Sequence, residues 1–316
     1  MTNNHQHIDA SSKTDSPSSS HTKTQQRKSS IELLRIISAT AIVLYHIEGS
    51  PFKKATHSGL ICFIIIATIF QIDAKTQRPL VFFKKRTIRI LTPWGFWGCI
   101  YFTLNLATNK KAFPYSNGVI NDILTGPWIG LWFFPFILAT SLATHLTTTT
   151  FREKHKYTKI TTYAILTCIA LYAFKASNPT EPPWSQWLHA LPSIPLSFLI
   201  RESIEPTKKI VLPLLVTLFT FISCATIAPE LTTTYTLATF AVAIAFSANN
   251  LSSKAINKTS ILCLGVYVTH SIFIRISNKL IPQEFNSTLT IFLAATSMSF
   301  ITAYLLSKTY LRRIIT

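Results

Sequence analysis

The chain has 316 residues, of which 48% are hydrophobic and only 13% charged. A soluble domain carries about 25% charged residues, so the composition excludes both an ordinary soluble domain and a disordered chain. Lys and Arg outnumber Asp and Glu 30 to 12, a balance that in a soluble protein points to nucleic acid. Here the basic residues sit in short clusters between apolar runs, as membrane loops do, and nucleic acid is not expected as a partner.

Residues 1–30 form a polar leader rich in Ser, Thr, Lys and His, expected to be disordered and cytoplasmic. It lacks the apolar run of a signal peptide, and the loose spacing of His5, His7 and His21 does not suggest a metal site. Residues 31–316 form one membrane domain. Apolar stretches of spanning length fall near 31–48, 59–73, 88–107, 128–147, 159–174, 187–201, 210–228, 233–249, 259–278 and 287–306. The expected fold is therefore all-α, a polytopic membrane protein of about ten transmembrane helices.

Loop charge orients those helices. With the N-terminus inside, 23 of the 30 basic residues fall on the inner side and 7 on the outer. Retention of basic loops in the cytoplasm predicts that bias, and an even number of crossings puts both termini there. Trp94, Trp97, Trp128, Trp184 and Trp187 lie near the proposed ends, where an aromatic belt is expected. The segment Gly130 to Pro135 reads as part of that belt with a kink. Cys62, Cys99, Cys168, Cys224 and Cys263 lie in apolar runs without CxxC spacing and are expected to be buried and free. With only 8 glycines there is no glycine-rich phosphate loop.

The first span carries ionisable groups, which are costly in a membrane and face a cavity or a partner. Ser30 is the expected N-cap, with Glu32 in the first turn. Arg35 and His46 are eleven residues apart, which returns them to the same helix face about 16 Å apart along the axis. Glu32, three residues before Arg35, shares that face. The alternative is an Arg35 that snorkels and a His46 bonded to a neighbouring helix. Before the third span, Arg86 and Arg89 share a face near the cytoplasmic level, where guanidinium groups suit phosphate oxygens. The competing account is a plain positive-inside cluster, and that account is preferred for Lys84 and Lys85. In the ninth span Tyr267 and His270 are again three apart. His145 and His189 are assigned structural roles, and Glu48 falls on a different face from His46.

Taken in order, these pieces resemble the acyltransferase-3 family of integral membrane O-acyltransferases, over about residues 30–310. The first span is similar to the family's opening helix, with Arg35, ten residues, then His46 preceded by Tyr45. Phe83 to Pro93 resembles its basic approach to the third helix, with Arg86 and Arg89 at matching places. Leu131-Trp132-Phe133 and Tyr267 to His270 resemble its Leu-Trp-Phe and late Tyr-x-x-His segments. Two places depart: Ile36 follows Arg35, and Phe63 to Phe70 lacks the family's Ser-Gly.

The resemblance implies transfer of an acyl group, usually acetyl, from cytoplasmic acyl-CoA to a sugar hydroxyl. The acceptors would be bacterial surface or exported polysaccharides or their lipid-linked precursors. Acetyl-CoA is then a donor substrate rather than a resident cofactor, and the location is a bacterial plasma membrane. Arg35, Arg86 and Arg89 would hold the CoA phosphates, with Glu32 orienting Arg35. His46 would act as general base or as the acylated residue, and Tyr267 and His270 would assist the acceptor or the oxyanion. A transporter or flippase of a lipid-linked or anionic substrate is the alternative, although no repeated halves are visible. A third possibility is a sensory protein that works through its basic leader.

Overall fold

The computed structural model describes residues 28–73, 79–115, 118–151, 154–177, 181–204, 210–248, 253–282, 284 and 287–315. The expected leader lies, up to residue 27, outside the described residues. Among the described residues the fold is all helical, with no strand. Helices α1 (Ser29–Tyr45), α2 (Lys53–Ile72) and α3 (Pro79–Ala107) come first. After the short α4 (Val119–Thr125), a 3-10 turn (Ile129–Trp132) leads into α5 (Phe133–Thr150). There follow α6 (Lys156–Ser177), α7 (Trp184–Ala190), α8 (Ser193–Ser203), α9 (Val211–Ile227) and α10 (Thr232–Ser247). Then come α11 (Lys254–Ser260), α12 (Cys263–Leu280), α13 (Thr288–Ser307) and a closing 3-10 turn (Tyr310–Ile314).

Each of the ten apolar stretches coincides with helix, but few are long and apolar enough to cross a bilayer alone. Among the described residues four are: α2, Ile129–Thr150, α6 and α13. A fifth is counted if α11 and α12, bent by 55° at their junction, act as one. The others fall short for visible reasons. The 17 residues of α1 include Glu32 and Arg35. The first half of α3 carries Lys84, Lys85, Arg86 and Arg89. The expected sixth span is split into α7 and α8 around Leu191 and Pro192, and α10 has 16 residues.

The outer faces are apolar. Ile165 and Ile169 of α6, Leu218 and Ile222 of α9, and Leu293 and Ile301 of α13 are exposed. Large exposed apolar surface marks an interaction face or a membrane, and here it encircles helices whose hydroxyls turn inward. Thr167, Thr217, Thr220 and Thr239 are buried, each returning its hydroxyl to a carbonyl one turn back, which satisfies a polar group where no water reaches. The chain is a membrane protein by this build.

The centre is formed by α1, α2, α10 and α12, with α5 and α8 on α2 and α13 on α12. Gly59 permits the closest approach: a Cβ there would lie 2.6 Å from the Ser38 carbonyl oxygen of α1. Close packing of the first two helices is thus supplied by Gly59, and with Ser58 before it the second helix does carry a Ser-Gly, ahead of the Phe63–Phe70 stretch that lacks one. Ile61, Ile64, Ile65 and Ile69 fill the core along α2. Ser30 does not cap α1; its hydroxyl donates to the Ala245 carbonyl at 2.7 Å, and no side chain caps that end. The closing turn tucks inward: Ile314 and Ile315 are buried, and the Trp97 indole N–H donates to the Ile314 carbonyl at 3.2 Å.

Two expectations about aromatics change. Trp97 and Trp128 are 5% exposed, as is Trp132, and Leu131 is fully buried. The Gly130–Pro135 segment is therefore core, not belt. Pro135 sits in the first turn of α5, where its missing N–H costs no helical bond and no kink is needed. The cysteines are free, but only Cys62, Cys224 and Cys263 are buried. Cys99 is exposed on α3, whose partners are α5 and the closing turn.

Candidate active site

The first helix ends at His46, which caps α1 in helical geometry. Past it the chain turns back through Gly49 to α2, so the imidazole stands at the rim of a cavity rather than inside a helix. That cavity has a volume of about 420 Å³ and is lined by His46, His57, His189, Tyr45, Tyr267 and Trp132, among others. Lys175, at the end of α6, and Glu230, before α10, also line it and pair at 3.9 Å.

Behind His46 lies His270 of α12, their ring centroids 5.0 Å apart. His270 is fully buried, and its Nδ1 is 2.6 Å from the Tyr267 carbonyl oxygen. A carbonyl only accepts, so Nδ1 carries the proton and Nε2 is left as an acceptor. That Nε2 is buried without a hydrogen-bond partner. Orphaned buried polar atoms are rare and call for a function or a ligand.

Trp128 holds the two imidazoles in place. Its ring stacks on Tyr101 at 4.7 Å and meets His270 edge-on at 5.5 Å and His46 at 6.5 Å. The ring lies across Gly130, where a Cβ would come within 2.2 Å of it. The same Gly130 offers its carbonyl to the Tyr267 hydroxyl, which donates at 2.7 Å. The Tyr101 hydroxyl donates to the Val268 carbonyl at 2.9 Å. Thus Tyr267 fixes α12 to the turn before α5, and Tyr101 fixes α12 to α3.

The arginines lie elsewhere. Arg35 Nη1 pairs with Glu32 Oε2 at 2.8 Å, and the Glu32 carboxylate is almost wholly buried. Arg86 Nε donates to Ser141 Oγ of α5 at 3.1 Å, and Arg89 is exposed. None of the three lines the cavity. The structure thus brings His46, Tyr267 and His270 together, joins Glu32 to Arg35, and leaves Arg86 and Arg89 on a separate helix. No cluster able to hold a metal is found among the described residues.

Three rings went unrecognised in the sequence. Tyr45 stacks on His57 at 4.4 Å, and His57 stacks on His189 at 4.5 Å. His189 is therefore a cavity residue and not the structural group expected. His145 does fit a structural role, buried and stacked on Phe82 at 4.8 Å. A sequence signal for His57 and His189 exists only in hindsight: both are imidazoles close to the ends of apolar stretches.

A family model described as an acyltransferase domain, that of the acyltransferase-3 family, matches residues 28–308. The chain belongs to the acyltransferase-3 family. No curated protein and no solved structure matches it. As a member it is a membrane O-acyltransferase, with an acyl donor and an acceptor as its substrates. Membership in an acyltransferase family goes against the transport and sensory alternatives.

Proposed function

We propose that the chain moves an acyl group, acetyl in the first instance, from cytoplasmic acyl-CoA to a hydroxyl of a surface or exported polysaccharide or its lipid-linked precursor. The observation that carries this reading is His46 at the cavity wall, backed at 5.0 Å by the buried His270. A nucleophile's base is normally oriented by a third group, and His270 is placed to be that group. Its Nε2 takes the His46 N–H when substrate fills the cavity. The other His46 nitrogen then removes the acceptor hydroxyl proton. The hydroxyl oxygen forms a bond to the thioester carbonyl carbon, and collapse of the tetrahedral intermediate breaks the C–S bond. CoA leaves as thiolate and takes the proton back from His46. Acylation of His46 itself, followed by transfer to the hydroxyl, fits the same geometry. Tyr267 contributes by holding the Gly130 turn.

Arg35, oriented by Glu32, is assigned with Arg86 and Arg89 to the phosphates of CoA, the guanidinium fork being matched to phosphate oxygens. Eleven residues of helix separate Arg35 from His46, about 16 Å, a span suited to the pantetheine arm. We place ten crossings in a bacterial inner membrane, with both termini and the 1–30 leader in the cytoplasm. The 23 to 7 bias of basic residues supports this orientation.

The test is transfer of radiolabelled acetyl from acetyl-CoA to host glycan extract by membranes carrying the chain or its His46→Ala variant. Removal of a general base lowers the rate by about 10² to 10⁴-fold, so label is expected with the parent chain alone. Equal label from both chains would refute the role of His46.

A further inference from the structure

We infer that His57 and His189, with Tyr45, form a hydroxyl-binding wall that selects which acceptor hydroxyl meets His46. This deepens the proposed transfer reaction and rests on it. The wall is one continuous stack built from three elements. Tyr45 closes α1, His57 lies in the second turn of α2, and His189 lies in α7. The Tyr45 and His57 rings are 4.4 Å apart and within 10° of parallel, and the His57 and His189 rings 4.5 Å apart and within 20°. All three residues line the same cavity as His46. Tyr45 meets His46 edge-on at 5.0 Å, so the wall begins beside the base. Its far end is pinned, because the Tyr235 hydroxyl of α10 donates to the His189 carbonyl at 2.5 Å.

Stacking fixes what these rings can bind. Both faces of His57 and one face each of Tyr45 and His189 are covered within the stack, so along it the ring edges are the parts left for a ligand. Each neutral imidazole offers one N–H donor and one lone pair, and His189 Nε2 is buried without a partner. Parallel rings hold their lone pairs in separate planes and do not converge on one ion. A row of neutral donors and acceptors suits adjacent hydroxyls, each of which also donates and accepts. Lys175 and Glu230, which also line the cavity, pair at 3.9 Å and offset each other's charge. The acceptor that fits is a neutral polyol such as a sugar ring. His145 shows the contrast: it also stacks on a ring, but it is buried on α5 and does not line the cavity.

The test uses the full chain in proteoliposomes, radiolabelled acetyl-CoA as donor and methyl α-D-glucopyranoside as the acceptor probe. His57→Phe and His189→Phe keep a flat ring in the stack and remove its nitrogens. Each variant is expected to raise the KM for the glycoside about tenfold, as loss of one buried hydrogen bond does, while the KM for acetyl-CoA stays unchanged. A purely structural role would not split the two constants. An unchanged glycoside KM in both variants would overturn the wall. A second readout needs no turnover: the glycoside should slow modification of His57 and His189 by diethyl pyrocarbonate in the parent chain, mapped by peptide mass. Protection without any acyl transfer would keep the wall and sink the proposed reaction. Transfer without protection, at unchanged KM, would do the reverse, and absence of both would overturn both.

Discussion

The two ends of α1 are built on opposite plans. At one end Glu32 and Arg35 already hold each other at 2.8 Å, and Ser30 is bonded to the Ala245 carbonyl. At the other, His46 stands in a cavity among rings, with His270 Nε2 and His189 Nε2 buried and unpartnered nearby. Charge at the first end is neutralised in the resting protein, as burial in low dielectric demands. Neutral imidazoles at the second can remain unsatisfied until a ligand arrives, because an unmade neutral hydrogen bond costs far less than an unpaired buried charge. One helix thus carries a preorganised cation at one end and a neutral hydrogen-bonding site at the other. Substitutions that remove a partner should therefore act on stability at the Glu32 end and on turnover at the His46 end.

Glu32→Gln is the sharpest way to break that contrast. It keeps the shape of the side chain and strips Arg35 of its counter-charge. Breaking a wholly buried pair costs about 3–5 kcal/mol. Arg35 keeps 25% of its side-chain surface exposed, so solvent screening reduces the expected loss to about 2 kcal/mol. The midpoint of thermal aggregation in detergent should fall accordingly. Adding Arg35→Gln should restore much of that midpoint, since the orphaned charge is then gone, yet should not restore acyl transfer. Recovery of both together would mean that Arg35 has no part in binding the donor.

Arg86→Ala probes the donor end without touching that pair. Its side chain donates to Ser141, itself already donating to the Ile137 carbonyl at 2.5 Å. A charged hydrogen bond is worth about 1.5–3 kcal/mol, so the apparent KM for acetyl-CoA should rise at least about tenfold, with the acceptor KM little changed. Ser141→Ala is the control, because it removes the partner and keeps the guanidinium. Steady-state rates against acetyl-CoA concentration separate the two, and equal KM shifts would show that Arg86 serves packing alone.

What was legible in the sequence was whatever a single helix displays. Eleven residues at 100° each return Arg35 and His46 to one stripe, and three residues put Glu32 beside Arg35 and Tyr267 beside His270. The structure realises the second relation as an ion pair and the third as rings 6.0 Å apart. What was not legible depends on contacts between helices. His57 and His189 meet because α2 and the seven-residue α7 converge on the cavity, and no periodicity reports that. Trp128 read as a belt residue because it borders an apolar run. It folds inward because Gly130 leaves room for its ring, a reason that only the turn reveals. The span count shows the same limit from the other side. Apolar stretches mark helices well, but His46, His189 and His270 belong to helices that are short, charged or bent, while His57 belongs to a full-length one.

Tyr267→Phe is the mildest test of the His46 end. It deletes one hydroxyl and leaves the ring against Trp128 at 6.1 Å and Phe133 at 5.2 Å. The lost bond is the 2.7 Å link to the Gly130 carbonyl, and a neutral bond of this kind is worth about 1 kcal/mol net. If the hydroxyl only fixes the Gly130 turn, the acyl-transfer rate should fall about fivefold or less and both substrate KM values should hold. A direct contact with the developing oxyanion would instead cost about 10² to 10³-fold in kcat. The hydroxyl proton is already given to Gly130, so the small effect is the one expected. A large one would mean that the Tyr267 hydroxyl leaves Gly130 and turns to the substrate during the reaction.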